Sequence, residues 1–265
     1  MNFNWNSAFQ WILFFYLSVG FYPNSLRAED LRIAVASNFL KASQDLAQQF
    51  ELQSQHKIQI SSGSSGKLFL QISKGAPFDL FLSADTQKPQ ELVKKDLAQA
   101  DSLQTYALGK LVLWLRACHT PLDLSQLLNN KVKKIAMANP KLAPYGFASK
   151  QLLINNQLWH RLESKLVFPE NISQVSQLVK IGVVDAAFIA ASHKSQLNTD
   201  GQNCVIDIPT TDYPAIEQQL VIISGSPHKS VANEFIDFML SNTGQDLIKN
   251  MEYLLPDSGK ISPLE

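Results

Sequence analysis

The sequence predicts an α/β chain folded into two lobes around a cleft, one lobe discontinuous and one continuous, each a mostly parallel sheet flanked by helices. Three observations carry that reading. Short apolar runs of strand length alternate with segments of helical spacing from residue 31 onward, the pattern of parallel strands joined by crossover helices. The alternation breaks at a longer apolar run, 106–115, and then restarts, as expected if the chain leaves one sheet and begins another. A last strand and two helices follow near the C-terminus, and the economical place for them is back on the first lobe. The expected division is 1–28 as a removed export segment, 29–109 plus 210–265 as lobe 1, and 110–209 as lobe 2.

Each element has its own justification. Residues 31–36 read as a short buried strand, and 40–50 as a helix whose Leu40, Leu46, Ala47 and Phe50 share a face. Clean alternation marks 57–60 as a second strand, and the Ser- and Gly-rich 61–67 as a loop. A short helix, 68–74, ends at Gly75 and Pro77; 78–83 is a strand and 88–95 a helix. After the crossing run come a helix at 124–128 opened by Asp123, a strand at 134–138, and helical segments at 147–153 and 158–166. A helix at 173–181 closes on Gly182, with strands at 186–190 and 204–209. The final section holds the run 217–223 and helices at 230–240 and 244–251.

Composition bounds the function. The 265 residues carry 23 basic and 23 acidic side chains, a formal net charge of zero, with 45% hydrophobic and 17% charged residues. That is too apolar for disorder and too poor in charge for a coiled coil. A balanced charge offers no footprint for a phosphate backbone, so nucleic acid is not an expected partner.

The first 26 residues lack any charged side chain, and 9–22 is almost wholly apolar or aromatic before Pro23. With Ala28 as a small residue before Glu29, the segment reads as a signal peptide, although its n-region has no Lys or Arg. The apolar run falls short of the roughly 20 residues of a spanning helix; an uncleaved anchor is the alternative. Cys118 and Cys204, 86 positions apart, have one possible pairing in an exported compartment, but spacing does not decide between a disulfide and two thiols.

Three segments are candidates for a site. Ala36, Ser37 and Asn38 end the first strand, Ser64, Ser65 and Gly66 precede a helix, and Ala143 to Gly146 (Ala-Pro-Tyr-Gly) precede another. Each has a plainer reading as an N-cap or a Pro-Gly turn. Brought together at the carboxyl ends of parallel strands, their hydroxyls and helix N-terminal N–H groups would make an oxyanion site without formal charge. Other chemistry finds less support. Ser64 to Lys67 matches S-x-x-K, but the accompanying S-D-N and K-T-G are absent. The five histidines have no metal-ligand spacing. Asp79 and Asp85 read as strand-edge and cap carboxylates, and Lys67 as a solvated helix-face lysine or a steering charge.

These segments resemble the periplasmic molybdate-binding proteins of ABC transporters. The matching stretches are 34–39, 62–68, 75–85 (Gly-Ala-Pro-Phe-Asp-Leu-Phe-Leu-Ser-Ala-Asp), 143–146 and 170–175, spread over the mature chain. The resemblance implies a type II periplasmic-binding-protein fold and a non-enzymatic receptor that captures molybdate, and by extension tungstate, and delivers it to a membrane permease. It also implies a periplasmic monomer without a cofactor; the alternative is a same-fold protein for another oxyanion such as sulfate. By position, the implied molybdate ligands are Ser37, Asn38, Ser65, Tyr145 and the backbone amide of Ile172, with Val175 a weaker alternative to Ile172. The same residues would hold the metal oxyanion, with no direct metal-ion ligand. Members with Ala at the Tyr145 position carry a Tyr where this chain has Ala190, so one Tyr is retained on a different loop. The implied hinges lie near 108–111 and 208–212.

Overall fold

The computed structural model describes residues 29–197 and 203–256; the expected export segment, 1–28, lies outside them. The first sheet has the order β2-β1-β3-β10-β4. It is built from β1 (Asp30–Ala36), β2 (Lys57–Gly63), β3 (Leu80–Leu82), β4 (Gln104–Gly109) and, from much later in the chain, β10 (Ile216–Ile222). Helices α1 (Leu40–Ser54), α2 (Ser65–Ser73) and α3 (Gln87–Lys94) connect its strands. The second sheet has the order β7-β6-β8-β5-β9, from β5 (Leu111–Leu115), β6 (Ile135–Ala136), β7 (Leu166–Val167), β8 (Ala186–Ala190) and β9 (Cys204–Asp207). Its helices are α4 (Pro144–Asn155), the short α5 (Trp159–Leu162) and α6 (Ile172–Lys180). The C-terminal α7 (Lys229–Leu240) and α8 (Asn242–Asn250) return to the first sheet.

Period-two alternation explains how the first sheet is covered. Leu31, Ile33 and Val35 of β1, Leu80 and Leu82 of β3, and Leu220 and Ile222 of β10 form one core with Leu46 and Phe50 of α1 and Phe235 of α7. The intervening Ala34, Phe81 and Val221 face the other way, onto Leu68 and Ile72 of α2 and Leu92 of α3. Each such buried aliphatic side chain contributes roughly 1.5–3 kcal/mol.

Both sheets follow one plan: three parallel strands, then an antiparallel strand, then an edge strand. They are therefore mostly parallel, as expected, with one reversed strand in each. The reversed strand in each sheet is the one that arrives from the other lobe. β5 follows β4 across Lys110, and β10 follows the segment after β9. A strand entering at the cleft end has to run away from it, whereas the parallel strands all run toward it.

Several local expectations differ in detail. The run 106–115 is two strands in two sheets. The loop 61–67 shrinks to Ser64, because β2 runs on to Gly63 and Ser64 caps α2, its hydroxyl accepting Lys67 N–H at 3.3 Å. The segment 158–166 is α5, a 3₁₀ turn and then β7, and 124–128 is also 3₁₀. Only Ile135 and Ala136 pair as a strand within 134–138.

Cys118 and Cys204 form a disulfide with a Cα separation of 5.9 Å. It ties the segment after β5 to β9 at the end of lobe 2 away from the crossing. Replacing both cysteines by serine is expected to lower the urea-unfolding stability by roughly 2–4 kcal/mol, without altering the cleft. No change in unfolding midpoint would show that the bridge carries no stability.

Candidate functional site

The loops that leave the parallel strands of both sheets meet between the lobes. They are the 3₁₀ turn Ser37–Phe39 after β1, Ser64 and Ser65 after β2, Ala84 after β3, Ala143 and Pro144 after β6, and Asn171 and Ile172 after β7. All of these but Phe39 and Asn171, together with Ala36, Gly63 and Tyr145, line a narrow cleft with a free volume of about 10 Å³. No Asp, Glu, Lys, Arg or His lines it. A larger surface cleft, about 290 Å³, shares Ala84, Ala143 and Pro144 but is lined by Asp85, Lys88, Lys141 and Glu217. Its mixed charges offer no preference for an anion.

Helix termini explain the donors. The first N–H groups of a helix have no intrahelical acceptor. In α2 the Ser64 cap takes Lys67 N–H, and Gly66 N–H crosses the cleft to the Leu142 carbonyl at 2.9 Å. That leaves the N–H of Ser65. In α6 the Asn171 cap takes Gln174 N–H at 3.1 Å, leaving Ile172 at the first position. In α4 the first residue is Pro144, which has no N–H, so Tyr145 presents the first one. These helix N-termini, with their partial positive charge, converge on one cleft.

The hydroxyls are placed to donate. Ser65 Oγ accepts the Ala84 N–H at 3.0 Å, so its own proton is free to point into the cleft. Ser37 is buried in the cleft wall, and its carbonyl accepts from Ser173 Oγ of lobe 2 at 3.0 Å. The plain capping alternative does not describe the first loop: neither Ala36 nor Phe39 makes a side-chain cap, and Ser37 and Asn38 lie within the turn.

Asn38 and Tyr145 line the cleft, but their side-chain ends turn elsewhere. Asn38 Nδ2 donates to Gln218 Oε1 at 2.9 Å and to Tyr253 Oη at 3.1 Å. Its side-chain donors are thus spent behind the cleft, and what it offers forward is backbone. The Tyr145 hydroxyl sits at the lobe crossing. A Cβ built on Gly109 would lie 2.2 Å from it and 3.1 Å from Gln218 Nε2. Burial raises the Tyr145 hydroxyl pKa well above its usual value, so it stays a neutral group. Val175 is packed in the lobe 2 core and does not line the cleft. Ala190 ends β8, and the lobe-spanning contacts come from the turn that follows it.

A second layer, absent from the sequence reading, holds the first loop. Tyr253 Oη donates to the Asn38 carbonyl at 2.7 Å, and Ser192 Oγ reaches the same oxygen at 3.2 Å. Tyr106 Oη contacts the Ser83 carbonyl at 3.0 Å and Gln218 Oε1 at 3.2 Å. Gln218 carried a signal: it occupies an inward position of β10, between Ile216 and Leu220, and is fully buried. A buried amide in an apolar strand calls for partners. Tyr253 gave no such sign.

The charged groups near the cleft are already engaged. Lys67 Nζ lies 3.0 Å from Glu170 across the cleft mouth, both partly exposed, a contact worth at most about 1 kcal/mol. Asp85, just before α3, accepts Lys88 N–H at 3.0 Å, and Asp79 holds Arg32 N–H and Ser226 Oγ, each at 2.7 Å. Neither acts on the cleft. Among the described residues no group of three or more His, Cys, Asp or Glu could hold a metal ion.

Comparison with known proteins agrees with this geometry. A family model described as bacterial extracellular solute-binding protein matches residues 31–251. The molybdate-binding protein ModA of Azotobacter vinelandii is 35% identical over 240 residues, covering 89% of this chain and 94% of that protein. The solved structure of the Azotobacter vinelandii periplasmic molybdate-binding protein superposes with a TM-score of 0.80 at 34% identity, over 85% of this chain and 99% of that one. The sulfate-binding protein SubI from Mycobacterium tuberculosis H37Rv, 14% identical with a TM-score of 0.72 over 87% of this chain and 88% of that one, shares the fold.

Proposed function

The chain belongs to the bacterial extracellular solute-binding proteins, and from that premise we propose that it captures molybdate and hands it to the permease of an ABC transporter. The observation that carries this reading is the donor-only character of the cleft. The Ser37 and Ser65 hydroxyls and the N–H groups of Ser65, Tyr145 and Ile172 surround it, with no carboxylate and no cationic side chain in its lining. A fully deprotonated tetrahedral dianion only accepts hydrogen bonds, so such a lining satisfies every oxygen. A protonated oxyanion would bring a donor that finds no side-chain carboxylate.

The reading extends to tungstate, which has the same shape and charge, and to a protein that acts in the periplasm as a monomer, without cofactor or catalysis. Closure of the two lobes on the ion completes the ligand set, since Ser37 and Ser65 come from one lobe and Tyr145 and Ile172 from the other.

Thermal unfolding of the mature protein with each of four oxyanions tests it. Molybdate and tungstate at about 1,000 times their Kd should stabilise by roughly 4 kcal/mol, with sulfate and phosphate giving little at the same concentration. A clear shift with sulfate and none with molybdate would overturn the assignment.

A further inference from the structure

His193 is a buried histidine that the ligand set does not use. It lies in the 3₁₀ turn Ala191–Gln196 after β8 and is 3% exposed. Its Nδ1 is 2.7 Å from Ser176 Oγ on α6, one turn beyond Ile172, whose carbonyl Ser176 Oγ also approaches at 3.3 Å. The backbone carbonyls of Asn38 and Ser37, in the opposite lobe, lie close enough to act on the ring. Those carbonyls also receive Ser192 Oγ and Ser173 Oγ. Lobe 2 therefore grips the back of the very turn whose front faces the cleft.

Nδ1 and the Ser176 hydroxyl share one hydrogen bond, whose donor depends on the ring tautomer. Carbonyl oxygens only accept, so a ring nitrogen that bonds them has to carry a hydrogen. We propose that His193 is a positioning residue: as a neutral imidazole seated on Ser176, it holds the Ser37–Asn38 turn against the N-terminus of α6 when the lobes meet, so that closure on the ion expels any proton the ring carries. This rests on the oxyanion reading of the cleft.

The surroundings of the ring support it. Burial, and then the Lys180 ammonium on α6, push the His193 pKa down to about 4, against the pull of the Asn38 and Ser37 carbonyls. The turn of lobe 1 brings carbonyl groups and no charge, and the nearby Tyr253 hydroxyl is held neutral by burial. Lys194, next in the chain, is occupied with Asp207 at 3.2 Å and Glu252 at 3.3 Å. With the lobes apart, the ring loses the cover of lobe 1 and its pKa returns toward the ordinary histidine value. The sign follows. Between the two pKa values the open form binds more protons than the closed form, so closure is fully favoured above about pH 6.5 and weakens as pH falls toward 4.

The test is calorimetric titration of the mature protein with molybdate from pH 7.5 to 5, in buffers of different ionisation enthalpy. Wild type should lose roughly 30-fold in affinity over that range and release protons on binding at pH 5.5. His193→Gln, whose side-chain amide can still donate to the carbonyls, should keep affinity within a few-fold at pH 7.5 and show a much flatter pH dependence. His193→Leu should bind about 10-fold more weakly at every pH. Protonation of the ligand itself is common to all three proteins and cancels in the comparison. Equal pH slopes and equal proton release in wild type and His193→Gln, or wild-type affinity in His193→Leu, would overturn the role of His193 alone. An absence of molybdate binding by wild type at pH 7.5 would overturn the ligand assignment and the coupling with it.

Discussion

Gly66→Val is expected to weaken molybdate binding by about 100-fold while leaving the ligand-free protein close to wild-type stability. Gly66 stands at the second position of α2, and its N–H bonds the Leu142 carbonyl of the other lobe at 2.9 Å. A Cβ added there would meet Leu142 O at 2.9 Å, Leu142 Cα at 3.1 Å and Leu142 C at 3.4 Å. All three are backbone atoms, which cannot swing aside as a side-chain end can. Overpacking of this kind costs roughly 1–3 kcal/mol, and valine adds two methyl groups to the conflict. The cost falls on the closed arrangement alone, because opening the lobes removes Leu142 from the contact. It therefore subtracts from affinity, at a factor of ten for each 1.4 kcal/mol or so, while unfolding of the ligand-free form changes only by the small helix-propensity difference. Titration calorimetry and urea unfolding separate the two. Unchanged affinity would show that the lobes close without this approach, and an equal loss of stability would show that the residue serves the fold of lobe 1 instead.

Ser65→Ala should cost both affinity and stability, and the pairing of the two effects distinguishes it from Ser37→Ala. Ser65 Oγ accepts the buried Ala84 N–H, which leaves its own proton for the cleft. Alanine removes a donor from a buried oxyanion and orphans a backbone N–H, each at roughly 1–3 kcal/mol. The expected result is a loss of at least 10-fold in molybdate affinity, with a fall in ligand-free stability of about 1 kcal/mol or more. Ser37→Ala removes a donor without orphaning a described backbone group, so its affinity should fall about 10-fold at nearly constant stability. If both variants titrate like wild type, the hydroxyls do not hold the ion. Should Ser65→Ala lose affinity without stability, the Ala84 contact is not the one that orients the hydroxyl.

Local pattern carried much of the fold. The alternation in β1 and the apolar spacing of α1 were legible because each satisfies its own period and buries the expected face. β7 was not, since a strand of two residues is too short to have a period, and its pairing with β6 depends on a neighbour thirty residues away. The crossing at Lys110 was legible as the lobe boundary, but not as a gap between two strands, because the apolar end of β4 runs into β5 and the two differ only in which sheet they join.

The candidate site divides along the same line. Ser37, Ser65, Tyr145 and Ile172 precede or open helices in short motifs, so the sequence placed them near a cleft. The layer behind them joins residues 38, 106, 192, 218 and 253, and no local spacing connects positions so far apart. That layer is what turns the Asn38 amide away from the cleft. The motif marked the residue; the long-range partners decide which of its atoms faces the cleft.

The reversed strand β10 has a consequence for the order in which the molecule can be assembled. It lies between β3 and β4 and pairs with both, so those two strands share no hydrogen-bonded neighbour until residues 216–222 have been made. Lobe 2 is contiguous in the chain between the two crossings, and every strand of its sheet is available before β10 exists. The N-terminal half cannot complete its sheet by itself, and the turn carrying Ser37 and Asn38 gains Gln218 and Tyr253 only from the last fifth of the chain. A truncated or stalled chain therefore lacks the backing of the turn after β1, and the cleft takes its final form last, with completion of the chain.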